Sequence, residues 1–573
     1  MDRHAVARTL LEIASFLELK GENPFRVRAY QQAARAVQGF MGDLDAAARG
    51  GALAELKGVG PGTEEVIRDL LATGKSKVLE QLRDDVPPGL VEMLSISGLG
   101  IAKVRQIHEH LHVDSLDELE AAARDGRLAR LPRFGAKTAA NILKGIAFLR
   151  QTVGQRLLQH ARTAAADLER VLAQMPEVRR VAVVGGVRRY REMVRDMDFV
   201  VEPAATADAL YDRLGRAPGV TEFVHRQERS LTLRFTGGTV ADVFLATPDQ
   251  WGFQLVRGTG SEDHVAALQA RAASRGLTWS DNGLLANGAP IPAPDEASVY
   301  RALDLPWIAP ELREGLGEVE AAAEGRLPDL VERRDLRGFL HCHSNYSDGT
   351  STVAEWAEAG AAAGYEYLGL TDHSEAALES GGLRGPDIAR QHAEIDAVNR
   401  ARRGIRVLKG VEADILEDGR VDYTDQERAS FDFVIASIHT RFGQDERTMT
   451  DRVLRALDDP TVTILGHPTG RLLLTRDPYP LDLDRVFTAA AERGVAIEIN
   501  ADPQRLDLDW RFVRRAAEAG VTISIGADAH SVHQMSHADV GVALARKGWL
   551  TAGQVLNARS LDGFLAHAAA RRG

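Results

Sequence analysis

Cysteine is almost missing from the 573-residue chain: Cys342 is the only one. An intramolecular disulfide framework and a thiolate zinc finger are both excluded. Long apolar runs are missing too. None approaches the ~20 residues needed to cross a bilayer, so no membrane partner is expected. The N-terminal stretch MDRHAVARTLLEIASFL has no signal-peptide core and reads as an amphipathic helix, which predicts a cytoplasmic protein. Positive charge is not in excess: 70 Lys and Arg face 82 Asp and Glu, a formal net charge of -12. That argues against bulk attraction to nucleic acid. It leaves open a local phosphate site built from loops, helix ends and metal ions. The apolar content of 44% is ordinary, and the length exceeds what one core can serve, so several domains are expected.

Residues 1 to 150 show helical apolar spacing broken by short glycine turns. Three turns share a pattern: LKGVGPGTEEVI (56–67), ISGLGIAKVRQI (96–107) and LPRFGAKTAANIL (131–143). Each has an apolar residue, a tight glycine turn and a helix start. The pattern resembles the helix-hairpin-helix element of DNA-repair proteins. Glycine lets the backbone approach a phosphate, and free N–H groups at the next helix start face the anion. One such turn is a common connector, whereas three in sequence are specific. The candidate DNA contacts are Gly58, Gly60, Gly62, Gly98, Gly100, Gly135 and Lys137.

From 155 to 247 strand-like runs appear (RRVAVVGG, MDFVVE, LTLRF, TVADVFLA), then a small mixed region to 320, then a charged stretch, EAAAEGRLPDLVERRD, that reads as a linker. From 336 onward seven short apolar strands alternate with helical segments, which implies parallel strands with helical crossovers, in an open sheet or a barrel. Polar residues sit at nearly every strand end: His341, His343, Asp348, His373, Glu412, His439, His467, Asp528 and His530. A barrel would gather them on one rim. Imidazole and carboxylate suit zinc, manganese or iron. Nine ligands exceed the needs of one ion; two or three ions would use them, with Glu412 as the bridge.

The motifs HCHSNYSDG, LTDHS, GVEADI, ASIH, GHPTGR and GADAH resemble those of the PHP (polymerase and histidinol phosphatase) domain. The resemblance runs from 336 to the C-terminus and fills all nine of that family's metal-ligand positions. It implies a distorted seven-stranded barrel with a trinuclear site and phosphoesterase activity, and it places Arg471 to meet a phosphate.

In the central region Asp196 and Asp198 alternate on a strand, so both carboxylates point to one face, and Asp242 is a candidate third from a neighbouring strand. Three clustered carboxylates suit two magnesium or manganese ions holding a triphosphate. The turn Gly185-Gly186 with Arg188 and Arg189 fits a phosphate cradle. This segment resembles the nucleotidyltransferase palm of family X DNA polymerases, and GTGSED (258–263), with Gly260 and Ser261, resembles their thumb motif. Together with ELKGENPFRVRAYQQAARAV and LPWIAPELRE, the whole chain is similar to bacterial family X polymerases. The order implied is an N-terminal helical DNA-binding domain (1–80), a fingers-like helical domain (81–150), palm (151–247), thumb (248–320), linker (321–335) and PHP domain (336–573). The fold class is thus multidomain α and α/β, with a distorted (βα)7 barrel at the end. The resemblance implies that Asp196, Asp198 and Asp242 are the catalytic metal ligands, that Arg189 contacts the triphosphate, and that dNTP is the substrate. Manganese or magnesium would serve the palm, and two or three manganese, zinc or iron ions the barrel. Gapped or nicked duplex DNA and 3' ends are the partners, and a monomer is expected.

Departures from the family cluster in the nucleotide site. Gly186 replaces a serine, Tyr190 and Arg195 replace glycines, Arg257-Gly258 replaces an aromatic pair, and Val265 and Gln269 replace an asparagine and an arginine. Each loss removes a hydrogen bond or shape constraint of about 1–3 kcal/mol, although Arg195 or Arg257 could substitute as phosphate donors. The first reading is a bacterial DNA-repair enzyme that fills short gaps at the palm and trims 3' ends at the PHP domain as a 3'-5' exonuclease, and the retained carboxylates favour surviving nucleotide chemistry. The second keeps the nuclease with a weak or lost polymerase, the front of the chain acting mainly as a DNA-end-binding module. A small-molecule phosphatase is the third reading, and the helix-hairpin-helix turns argue against it. Val66 stands where some family members carry a Schiff-base lysine, so no 5'-deoxyribose-phosphate lyase activity by that route is expected.

Overall fold

The computed structural model describes residues 3–38, 44–51, 53, 56, 58–94, 96, 98–152, 154–217, 220–235, 238–281, 283–401 and 404–572. The chain divides into two compact units, 1–153 and 154–573.

The first unit is helical. Its opening helix, Arg3–Leu19, buries Val6, Leu10, Ile13 and Leu17, the stripe that 3.6-residue periodicity requires. That stripe belongs to one continuous core that also takes in Val66, Val104, Ile107, Leu119 and Ile142. The stretches expected as separate domains, 1–80 and 81–150, therefore share a core, and Arg83 pairs with Glu12 at 2.7 Å across their boundary. Val66 is buried in this core, where only an apolar side chain fits without a partner.

The second unit begins with a five-stranded sheet in the order Val178–Val183, Asp196–Pro203, Val240–Leu245, Ser230–Phe235, Val220–Arg226. Only the pairing of Asp196–Pro203 with Val240–Leu245 is parallel, and it sets Asp198 directly beside Asp242. The thumb region follows, with Phe253, Val256, Leu268 and Tyr300 in its core. The expected linker is not slack. Helix Glu318–Ala323 adds Val319 and Ala322 to the thumb core, and the fully buried Val331 donates its N–H to Leu550 of the C-terminal domain.

Seven parallel strands then close into a barrel: Gly338–Cys342, Tyr367–Leu370, Arg406–Asp414, Phe433–Ser437, Val462–Leu465, Ala496–Asn500 and Ile523–Ala529. Leu340, Leu408, Phe433, Ile464 and Ala496 form one buried cluster, which Phe564 and Ala568 of the C-terminal helix complete. A second, larger cluster lies between strands and surrounding helices. Two buried joints fasten the sheet to the barrel. Glu192 accepts from Trp510 Nε1 at 3.0 Å and Arg511 Nη1 at 2.6 Å. Lys547 donates to the Arg189 carbonyl at 3.0 Å and to Glu314.

Candidate metal centre and nucleotide turn

The first barrel strand carries His341, and His343 follows just past its end; an irregularity in the strand's pairing with both neighbours falls at His341. His341, His467 and Asp528 adopt left-handed backbone, with φ of 59°, 21° and 48°. Such conformations cost about 1–3 kcal/mol each and persist where the surroundings over-determine them, often at functional sites.

The ligand atoms converge. His343, Asp348, His373 and His530 form one group; His341, His343 and Asp528 a second; His373, Glu412 and His439 a third, each with its ligand atoms within 4.8 Å of one another. Eight of the nine sequence-predicted ligands fall in these groups, and His467 Nε2 reaches Glu412 Oε1 at 2.8 Å. Glu412 is central, with His373 Nδ1 3.0 Å from its Oε2 and His439 Nε2 3.3 Å from its Oε1.

Neighbouring acceptors orient the imidazoles, and two of them, Glu498 and Asp414, lie outside the predicted set. Glu498 Oε1 lies 2.5 Å from His341 Nδ1, Asp414 Oδ1 lies 2.7 Å from His439 Nδ1, and the Asp528 carbonyl lies 2.9 Å from His530 Nδ1. Each accepts the Nδ1 proton and leaves Nε2 as the free lone pair, the usual support of a metal-ligating histidine. Asn500 bridges Glu498 and Asp528. Asp372 collects Ser344, Ser347 and Gln391 beneath the first loop. A weak signal for Glu498 and Asn500 exists in the sequence: charged or amide residues in a strand that is otherwise apolar.

The donor set fits divalent ions. His341 Nε2, both nitrogens of His343, His373 Nδ1 and Glu412 Oε2 are buried without a hydrogen-bond partner. Buried polar atoms are rarely left so unless something else binds them. Electrostatics agree. Burial would strip the His341 proton, yet Glu498, Glu412 and Asp528 hold its pKa well above the ordinary value. Burial is likewise outweighed at His439 by Glu412 and Asp414, which bring it up to about 10. Burial and the neighbouring His373 take His343 down to about 4. The raised values show how strongly the buried carboxylates favour positive charge here, a charge that divalent ions would supply in place of the imidazolium protons.

Arg471 holds the loop that follows the sixth strand. Its Nε donates to the Arg505 carbonyl at 2.9 Å, one Nη to Asp509 at 2.5 Å and the other to the Leu506 carbonyl. The loop 505–509 thus takes three of the five N–H donors of this buried guanidinium.

At the palm, burial and then the charges of Asp196 and Asp242 push the Asp198 carboxyl up to about 7. Asp242 accepts from Thr232 at 2.5 Å. Like charges held this close favour a bound cation. Gly185 has φ 65°, and a Cβ there would lie 1.8 Å from Asp198 Oδ2, so the turn rests on the carboxylate and admits only glycine. Arg188 is held bidentately by Glu296, both contacts 2.8 Å, and bonds Thr259. Arg189 donates to Glu314 at 3.0 Å and to the Thr259 carbonyl at 2.5 Å. Ser261 caps helix Glu262–Ser274, and Gly260 packs against His264. Arg257 pairs with Asp281 at 3.0 Å. Tyr190 takes a left-handed φ of 57°, its ring under Arg162.

In the helical unit Gly58 and Gly98 have φ of 105° and 84°, and Gly60 and Gly100 start helices Pro61–Thr73 and Ile101–Leu111. The third turn puts Arg133, φ 68°, in the corresponding place, ahead of Gly135 and helix Ala136–Thr152. A Cβ at Gly60, Gly62, Gly98, Gly100 or Gly135 would meet nothing within 4 Å. Packing does not demand glycine there. Lys137 is exposed in the first turn of the third helix.

The fold and site together define a chain of helix-hairpin-helix, thumb and PHP-barrel parts. A helix-hairpin-helix domain family matches residues 1–76, a SAM-like helix-hairpin-helix tandem 90–147, a DNA polymerase beta thumb 254–314 and a PHP domain 340–502. The chain is 36% identical over 568 residues to the "DNA polymerase/3'-5' exonuclease PolX" of Bacillus subtilis (strain 168), covering 98% of each. It is 31% identical over 225 residues to a "Probable phosphatase" of Caldanaerobacter subterraneus subsp. tengcongensis, covering 37% of this chain and 84% of that one. A "Probable phosphatase" of Acetivibrio thermocellus is 29% identical over 198 residues, 33% of this chain and 77% of that one. The chain belongs to the bacterial family X DNA polymerases (PolX) that carry a C-terminal PHP domain.

Proposed function

We propose that the chain extends DNA 3' ends at the palm and removes 3' nucleotides at the barrel, as a gap-filling polymerase and 3'-5' exonuclease in bacterial DNA repair. The observation that carries the exonuclease is the convergence of buried, unpartnered imidazole and carboxylate atoms on one rim of the barrel. Two or three manganese, zinc or iron ions suit the barrel donors, and magnesium or manganese suits Asp196, Asp198 and Asp242. Ions bound at the barrel would polarise a phosphoryl oxygen and activate a water. In hydrolysis, hydroxide from water joins phosphorus, the bond to the penultimate O3' breaks, and that oxygen takes the proton. A 5'-mononucleotide and a new 3'-hydroxyl result. The protein's own share is to hold the histidine tautomers through Glu498, Asp414 and the Asp528 carbonyl.

For the palm, the supporting features are the side-by-side Asp198 and Asp242 and the glycine turn resting on Asp198. Glu296 and Glu314 already hold Arg188 and Arg189, so a triphosphate has to compete with buried carboxylates for the second arginine. That favours a slow polymerase beside a competent nuclease. The open glycine turns suit contacts to the DNA backbone, for which gapped or nicked duplex is the natural substrate. The protein is read as cytoplasmic and monomeric.

The test uses a labelled primer across a one-nucleotide gap, with manganese and all four dNTPs. Asp196→Ala with Asp198→Ala should abolish lengthening only, and His341→Ala with His343→Ala shortening only. Shortening that survives the histidine changes would move the nuclease away from the barrel. Lengthening absent from the unaltered protein would leave the nuclease alone.

A further inference from the structure

The loop 501–509, between the sixth strand and helix Trp510–Glu518, is fixed on two sides. Arg471 grips the backbone of Arg505 and Leu506, and buried Asp507 accepts from the Thr469 N–H at 2.9 Å and hydroxyl at 2.8 Å. Leu506 holds a left-handed φ of 45°. The loop presents the Arg505 side chain to the metal centre. Arg505 Nε donates to Asp528 Oδ2 at 3.1 Å, on the carboxylate whose Oδ1 lies 3.2 Å from His343 Nε2. The side chain is only 20% exposed. Its charge acts on Glu412, at the centre of the cluster, and on His467. Nε to Asp528 is its one side-chain hydrogen bond among the described residues, so both Nη groups are free of protein acceptors.

A half-buried guanidinium held by one nitrogen beside the cluster leaves its two Nη groups, which solvent reaches, able to take a further acceptor. Beside a phosphodiesterase centre the fitting acceptor is a non-bridging phosphoryl oxygen, which a planar guanidinium meets with two parallel donors. We propose that Arg505 is a catalytic residue of the barrel, binding the non-bridging oxygens of the scissile phosphodiester and stabilising the charge that builds there, the task the sequence had suggested for Arg471. The inference rests on the phosphodiesterase reading of the barrel.

The full-length, manganese-loaded protein is the material for the test. Arg505→Ala and Arg505→Lys are compared with the unaltered chain for bound metal, for kcat and KM on a labelled 3' end, and for inorganic phosphate binding by calorimetry. Arg505→Ala should keep its metal, lose about 100-fold in kcat/KM, as for removal of one charge-stabilising donor, and bind phosphate more weakly. Added guanidinium ion should restore part of the loss, and Arg505→Lys should retain more activity than Arg505→Ala. Loss of metal in Arg505→Ala, with full turnover restored by excess manganese, would make Arg505 a positioning residue for Asp528 and overturn the proposal. Unchanged kcat/KM and phosphate affinity would overturn it too, and leave the nuclease reading standing. An unaltered protein that does not cut DNA ends would instead fail that reading first.

Discussion

Glu498 decides which nitrogen of His341 faces the metal centre. It is fully buried, accepts from the His467 N–H at 2.7 Å as well, and sits so close beneath the last strand that a Cβ at Gly526 would lie 1.7 Å from Oε1. Glu498→Gln keeps the shape but removes the charge that raises the basicity of His341. Metal affinity should fall about 10- to 100-fold, read by equilibrium metal titration, with the barrel still folded; unchanged affinity would show that geometry alone matters. The nine ligands were legible because histidine and acid at the ends of short apolar strands form a repeating pattern. Glu498 was not. Its partner lies 157 residues away, and within a strand its only mark is polarity in an apolar run. The bonds of Arg471 to the loop 505–509 were not legible for a similar reason, since sequence shows that a guanidinium is near the site but not which oxygens it meets.

At the scale of elements, the three glycine turns were readable because left-handed backbone selects glycine so strongly. The third breaks the rule, with Arg133 held at φ 68°. Arg133→Gly should relieve that strain by about 0.5 kcal/mol after the entropy it adds to the unfolded chain. The expected sign is slower hydrogen exchange at the start of helix Ala136–Thr152 in the full chain; faster exchange would mean the arginine makes contacts that outweigh its backbone. The barrel strands were legible as short, largely apolar runs, the mark of parallel strands buried on both faces. The palm's edge strand Val220–Arg226 escaped, because its residues are largely exposed and follow no burial pattern.

At the scale of the whole molecule, domain order was legible, but the fastening between domains was not. Burial raises the Glu192 pKa, and Arg511 overcomes that, bringing it down from 4.5 to about 2; Arg313 and Arg188 do the same at Glu296. Carboxylates with a depressed folded pKa stabilise the protein fully above the unfolded value and lose that stability as pH falls from about 4.5 toward 2. Each contributes on the order of 3 kcal/mol at neutral pH. Thermal melts at pH 3, 5 and 7 should therefore show a steep acid loss in the unaltered chain. Glu192→Gln should start lower at pH 7 and lose less below pH 4.5. Equal acid slopes for the two would mean that the joint does not couple to folding.

The left-handed backbone at His341 and Asp528 also bears on descent. A lineage freed from the need for metal would still inherit those two bends, since barrel closure depends on the strands that carry them. Drift would then push both positions toward glycine or asparagine, the residues most at ease there, well before it erased the strands. A relative with glycine or asparagine at these two places and an intact apolar barrel would be a fossil of the chemistry, recognisable from sequence alone.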